Sequence, residues 1–523
     1  MITIYSFEKP LVMKIFYLIL PLFFLLASCQ DEITPEQSTK QELDFSRAEI
    51  NSFIQGHLDK GKVFDWEVAT ADMIHSASQL SDEIIAIGFT TKSMPSMEDY
   101  IGTVDILPKT LLDKRAEILE TILKGENAIS EETLELGDIL AFELDDAIPT
   151  LALRIQSKET IRQLKSMEDI RYVEPMGYDM NESESGSLKS SSGCDGSPDN
   201  INSADYTNTS SFNAKIPWNF SNHNIQGAWS SADGDNVSIC IIDTGASNNQ
   251  DNLGSQFTSG NSSGRFINKY STKYSGSWWW KTLDSPHDQC GHGTAMAGLA
   301  AAPWSTDGNA VGAAYKSNLV TVRAVEDVII NTSNEKNGVK DALRLAGNRS
   351  DVKVVSMSIG NIFSSGTVKD GVYYAYNRGK LLMAAAGTST TFTNWVGVIF
   401  PASMSQTTAV TGVKAQSSYQ RCNTCHSGSK VDFTIQMQRS FDSNRNSITL
   451  ASSTNQPQYI SGSSAATATA AGIAALVWST NPSMSRSTVL NRLKVASDIY
   501  PSRNGSYGWG NINAQAAVLG QSY

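Results

Sequence analysis

The 523-residue chain has no surplus of positive charge: 41 Lys and Arg stand against 53 Asp and Glu, a formal net charge of −12 at neutral pH. Phosphate contacts need a basic surface, so nucleic acid is set aside as a partner. Cysteine is scarce, at 6 residues. Cys422 and Cys425 have the spacing of half a zinc site, yet no second ligand pair accompanies them, so no metal ligand is assigned. Long apolar runs are missing beyond the N-terminus, so no spanning helix is expected in the mature protein. The length allows more than one domain.

The N-terminus carries an address. Lys14 precedes the apolar run Ile15 to Leu26, which is followed by Ala27-Ser28-Cys29. A charged start, an apolar stretch short for a span and small residues before a cut describe an export signal over residues 1–28. Leu26-Ala27-Ser28-Cys29 resembles a bacterial lipobox, in which Cys29 would become the lipidated first residue and anchor the chain to a membrane. The plainer alternative is a secretory signal with a coincidental cysteine. Gln30-Asp31-Glu32 adds an acidic tail, and the expected location is the bacterial cell envelope, as an outer-membrane or surface lipoprotein.

Three distant segments carry the chemistry. In Gly462-Ser463-Ser464-Ala465-Ala466, a serine follows a flexible glycine at the start of a helix of small residues. There its hydroxyl lies beside unsatisfied N–H groups, which suits a nucleophile whose attack creates an oxyanion. By itself a capping serine is the simpler reading. Two further segments outweigh it: Val237 to Asp243-Thr244-Gly245, a buried-strand run ending in a carboxylate, and Gly291-His292-Gly293-Thr294, which opens another small-residue helix. Together they supply acid, base and nucleophile in the chain order Asp, His, Ser.

These three signatures resemble those of the subtilisin-like serine peptidases. The resemblance implies Asp243, His292 and Ser464 as catalytic residues, with Ser463 as the lesser candidate nucleophile, and a serine endopeptidase acting on proteins or peptides without a cofactor. Structural calcium is common in that family, but no ligand cluster for it is evident. Val354 to Gly360 resembles the family's substrate edge, so Ser358, Ile359 and Gly360 are expected to bind substrate by main-chain pairing. Tyr507 to Asn513 resembles the family's closing motif. Two departures stand out. The proline and histidine that usually follow the nucleophile are absent, and Thr388 stands where the family places an asparagine whose amide donates to the oxyanion. For subtilisin itself, losing that donor costs about 10²–10³ in turnover. Thr388 is the expected replacement donor, with Asn394 nearby. A catalytically weak or inactive binding protein on the same fold is the alternative.

The alternation of elements implies an α/β architecture. A doubly wound parallel sheet of the subtilisin-like kind, with helices on both faces, is expected over residues 209–523, preceded by a small α+β domain. The expected strands are 237–242, 318–325, 352–359 and 380–386. Residues 29–80 read as a tether and helical lead-in, 81–179 as a β-α-β-β-α-β domain with a hairpin at 139–144 and 150–155, and 180–208 as a Ser/Gly/Asn-rich linker. The 81–179 domain resembles the family's inhibitory propeptides, which makes the chain's own N-terminal domain an expected occupant of the cleft. Cys422 and Cys425 are expected to form a disulfide, Cys240 to remain a core thiol, and Trp278 to Trp280 are given no role.

Overall fold

The run Ser238-Ile239-Cys240-Ile241-Ile242-Asp243 has no charge until its last residue, and it forms a strand buried along its whole length. It lies inside a seven-stranded sheet. The order across that sheet is Val431–Arg439, Thr407–Ala415, Leu381–Ala385, Val352–Met357, Ser238–Asp243, Asn318–Arg323, Ile267–Ser271, and every neighbouring pair is parallel. From Ser238–Asp243 the chain passes to the edge strand Ile267–Ser271, returns to Asn318–Arg323 between the two, and then winds outward on the other side. The carboxyl ends flanking Ser238–Asp243 form the crevice where such sheets hold ligands. The computed structural model describes residues 43–523 apart from Lys62, 181–192, 277–280, 389–396 and Ser417. Cys29, Trp278 to Trp280, Asn394 and residues 181–192 of the expected linker lie outside the described residues; the rest of that stretch is no free linker, since Cys194 is bonded to Cys290, Tyr206–Asn208 pairs with Lys215–Pro217 and Asp205 is held by Arg439 and Arg445.

Two helices of small residues cross the middle of the molecule. His292–Ala301 has all ten residues buried, and Gly462–Ser479 is buried from Gly462 through Trp478. Small side chains let their backbones approach. A Cβ at Gly472 would stand 2.7 Å from the Ala300 carbonyl oxygen, so the pair depends on the absence of side-chain bulk. In the longer helix, the Thr467 and Thr469 hydroxyls donate back to Ser463 O and Ala465 O at 2.7 and 2.9 Å, which satisfies both without a polar partner in the core.

The N-terminal part is built on a three-stranded antiparallel sheet ordered Thr150–Arg154, Ile84–Phe89, Ile170–Pro175. Helices Lys109–Asn127 and Lys158–Ser166 are present as expected, with Leu111, Ile118, Ile122, Ile161 and Leu164 in the core. The hairpin is not. Leu136–Ile139 is a helical turn, and only a bridge between Leu140 and Leu153 remains of the first arm. The Asp138 carboxylate accepts from Glu135 N at 2.7 Å and caps that helical turn, which takes the start of the first arm out of the extended form. Residues ahead of the sheet also fold: Ile50, Ile54, Leu58 and Ile74, from helices Arg47–Leu58 and Ala71–Gln79, join the same core.

That core continues into the C-terminal part through Ile362, Phe363 and Tyr374. Polar contacts flank it. Arg171 forms a paired salt bridge with Asp370, Nη1 to Oδ1 at 2.8 Å, and the Tyr172 hydroxyl donates to Asp370 Oδ2 at 2.9 Å. Glu174 accepts from Ser365 Oγ at 3.0 Å and Gly366 N at 2.8 Å, at the start of helix Gly366–Asn377. Burial pushes the Glu174 carboxyl above its ordinary value despite these donors. Two disulfides are present, Cys194–Cys290 and Cys422–Cys425. Cys240 is free and buried, and burial pushes its thiol up to about 12, which leaves it inert.

Because Asp370 is fully buried beside Arg171 and Tyr172, Asp370→Ala strands a buried guanidinium. The variant should lose about 3–5 kcal/mol of stability by chemical denaturation. A loss below about 1 kcal/mol would show that the pair does not hold the two parts together.

Candidate active site

Asp243 ends its strand at the carboxyl edge of the sheet, and His292 opens its helix directly above. The His292 Nδ1–H donates to Asp243 Oδ1 at 2.7 Å. A carboxylate oxygen only accepts, so the proton sits on Nδ1 and Nε2 keeps its lone pair. Asp243 Oδ1 also accepts from Thr244 N at 2.8 Å. Both side chains are buried, His292 being 4% exposed and Asp243 0%.

A second carboxylate holds this arrangement. Asp288 Oδ1 accepts from Thr244 Oγ1, Cys290 N and Gly291 N at 2.9, 3.0 and 2.7 Å, and its Oδ2 accepts from Thr294 N and Thr294 Oγ1 at 2.8 and 2.7 Å. The Thr244 hydroxyl accepts in turn from Gly293 N at 2.8 Å. The two loops meet so closely that a Cβ on Gly293 would lie 2.3 Å from the Gly245 carbonyl. Asp288 was not among the expected site residues. Its signal was a carboxylate four positions before the histidine, at the place where a helix-opening loop needs acceptors.

Burial alone would lower the His292 pKa, but the neighbouring Asp243 carboxylate, helped by Asp288 and Asp327, outweighs it and holds the imidazole above its ordinary value.

Ser464, 8% exposed, lies in the first turn of its helix and faces a cavity of about 220 Å³ that His292 also lines. Ser358, Ile359, Gly360, Gly387 and Thr388 line the same cavity, as do Asp179 and Met180 from the end of the N-terminal part. The Ser464 hydroxyl donates to the Ser358 carbonyl at 3.3 Å, and Ser358 Oγ donates to the Ser464 carbonyl at 3.0 Å. Among the described residues no hydrogen bond joins Ser464 to His292. Ser463 is fully buried and faces away. Its hydroxyl donates to Gly387 O at 2.6 Å and accepts from Gly387 N at 3.1 Å. With its one proton on Gly387 O, Ser463 Oγ can only accept from the Thr388 hydroxyl, 3.1 Å away. Gly387 itself has φ +129, and a Cβ there would run into His426 Nδ1 at 2.4 Å.

The family model described as "Subtilase family" matches residues 234–510, more than half of the chain. The chain belongs to the subtilase family. This subtilase is similar to thermitase of Thermoactinomyces vulgaris, 29% identical over 160 residues, 31% of this chain and 50% of thermitase. It is also similar to a subtilisin of Bacillus sp. strain TA39, 28% identical over 279 residues, 50% of this chain and 61% of that protein. The subtilase therefore spans only half to three-fifths of the length of these relatives. In fold it resembles fervidolysin of Fervidobacterium pennivorans, with a TM-score of 0.57 and 16% identity, covering 84% of this chain and 61% of the other. Among the described residues of the subtilase, no group of three or more His, Cys, Asp or Glu side chains is placed to hold a metal ion.

Titration of His292 by NMR should place its ionisation above about 6.5, and both Asp243→Asn and Asp288→Asn should bring it down. An imidazole at or below that value in the unsubstituted protein would mean that burial outweighs the carboxylates.

Proposed function

We propose that the protein is a serine endopeptidase working through an acyl-enzyme. The observation that carries this reading is the common cavity of Ser464 and His292, with Asp243 hydrogen-bonded behind the imidazole. On this reading a peptide carbonyl entering the cavity takes Ser464 Oγ as nucleophile. The hydroxyl proton leaves the Ser358 carbonyl and passes to His292 Nε2, while Asp243 balances the imidazolium. His292 then returns the proton to the leaving amine. Water repeats the sequence against the ester and releases the acid.

The oxyanion takes the Ser464 N–H and the Thr388 hydroxyl as donors. At rest that hydroxyl serves Ser463, so it must turn toward the developing charge. A hydrogen bond to an anion is roughly twice as strong as one between neutral groups, which favours the exchange. The same geometry supports the alternative of a catalytically weak or inactive binding protein, since the resting Ser464 hydroxyl points to Ser358 and Thr388 must abandon a partner. A fluorophosphonate probe separates the two. Labelling should occur, vanish in Ser464→Ala, fall by up to about 10²–10³ in Thr388→Val and hold or rise in Thr388→Asn. Labelling of the parent at the Ser464→Ala background level would establish the inactive reading.

In the same reading the N-terminal domain acts as an inhibitor in the cleft, because Asp179 and Met180 stand on the cavity wall. Cutting within 181–192 should then speed labelling.

The export and anchoring reading rests on the motif ending at Cys29. Cys29→Ser should move the protein from the membrane fraction to the soluble fraction of the cell envelope. Unchanged membrane association would show that no lipid on Cys29 holds it.

A further inference from the structure

The main-chain edge expected to receive substrate already has a partner. Gly360 N donates to the Val328 carbonyl at 3.0 Å, and Ile330 N donates to the Gly360 carbonyl at 3.2 Å, which makes a parallel bridge between Gly360 and Ile329. One residue has one main-chain donor and one acceptor, so this bridge uses the N–H that Gly360 could offer a peptide and one side of its carbonyl.

The bridging segment is fixed at its feet and open at its tip. Glu335 accepts from Glu326 N through Oε1 at 3.0 Å, and from Asn331 N and Thr332 N through Oε2 at 3.0 and 2.9 Å. Between those anchors, Val328 and Ile329 line the cavity and are only half-buried. The tip has two side-chain restraints: Asp327 Oδ1 accepts from Ile329 N at 2.8 Å, and Asn361 Nδ2 donates to Ile330 O at 2.8 Å and to Asn331 Oδ1 at 3.1 Å. Such a loop can swing at its tip without unwinding the helix that Glu335 caps.

The acceptor at the other end of the edge is occupied as well, because the Ser358 carbonyl takes the Ser464 hydroxyl proton.

We infer that Val328–Ile330 is a built-in strand standing where an extended peptide would pair with Gly360, so that substrate residues on the acyl side bind there only by displacing it. The inference rests on the peptidase reading above. It assigns this segment control over the response to peptide length. An acyl residue reaching Gly360 exchanges existing hydrogen bonds for equivalent ones and gains little. A peptide that does displace the segment takes the Ser358 carbonyl too, and the Ser464 hydroxyl is released toward His292.

The test uses the full chain and a series of acyl-peptide anilides of one to four residues, with 4-nitrophenyl acetate as the substrate that cannot pair. In the parent, kcat/KM should rise little with each residue beyond the first. Asn361→Ala loosens the tip and should raise the ratio of tetrapeptide to acetate kcat/KM about fivefold, roughly the net worth of one hydrogen bond. The deciding measurement is a structure of the Ser464 adduct of a tetrapeptidyl boronate beside that of the phenylmethylsulfonyl adduct. The first should show Val328 and Ile330 off Gly360, and the second should show them still paired. A bound peptide with the Gly360 bridge intact overturns the inference while leaving the peptidase reading standing. Failure of both reagents to modify Ser464 overturns the two together.

Discussion

The Asp288 carboxylate holds together the two loops on which the site depends. It accepts five hydrogen bonds, from Thr244, Cys290, Gly291 and twice from Thr294. Taking an ionised carboxylate out of water is costly unless its lone pairs are filled, and here main-chain N–H groups and hydroxyls fill them without a basic side chain. In return, the loop after the Asp243 strand and the loop before the His292 helix are held to one geometry. The same negative charge also acts on the imidazole through space, so one residue both places the histidine and keeps it basic.

Most of the central architecture was legible because burial there follows simple rules. The strands expected from apolar runs appear at Ser238–Asp243, Asn318–Arg323, Val352–Met357 and Leu381–Ala385, differing by a residue or two at their ends, where hydrogen bonding rather than composition decides. Three strands of the same sheet were not among those expected. Ile267–Ser271 carries Asn268 and Lys269, and it pairs at the sheet's edge, where polar residues are tolerated. Val431–Arg439 alternates Val431, Phe433, Ile435 and Met437 with polar residues, a period-two signal that a search for continuous apolar runs passes over. In the N-terminal part, the first arm of the hairpin shrinks to one bridge because the chain ahead of it is wound into a helical turn capped by Glu135 and Asp138, a local preference stronger than the apolar character of Ile139 to Leu144.

At the site, residue types and spacing pointed to Asp243, His292 and Ser464, and each side chain has its neighbours within one small region of the fold. What spacing could not convey was hydroxyl direction. Ser463 and Ser464 are adjacent and chemically identical, yet one faces Gly387 and the other faces the cavity. Helical rotation of about 100° per residue separates them. Thr388 was expected to donate to the oxyanion, and its hydroxyl lies 3.1 Å from Ser463 Oγ in a chain of single-proton hydroxyls. Such networks depend on which group spends its only hydrogen where, and a linear sequence carries no record of that.

The positions of the disulfides have a consequence for how the chain comes apart. Cys194–Cys290 and Cys422–Cys425 both lie wholly after residue 192. A single break anywhere in 181–192 therefore leaves no covalent link between the fragment ending in the three-stranded sheet and the fragment carrying Ser464. The larger fragment would begin with a short tail stapled two residues ahead of His292. Whatever is fixed to the first fragment departs with it, while Cys194 of the larger fragment stays tied to Cys290.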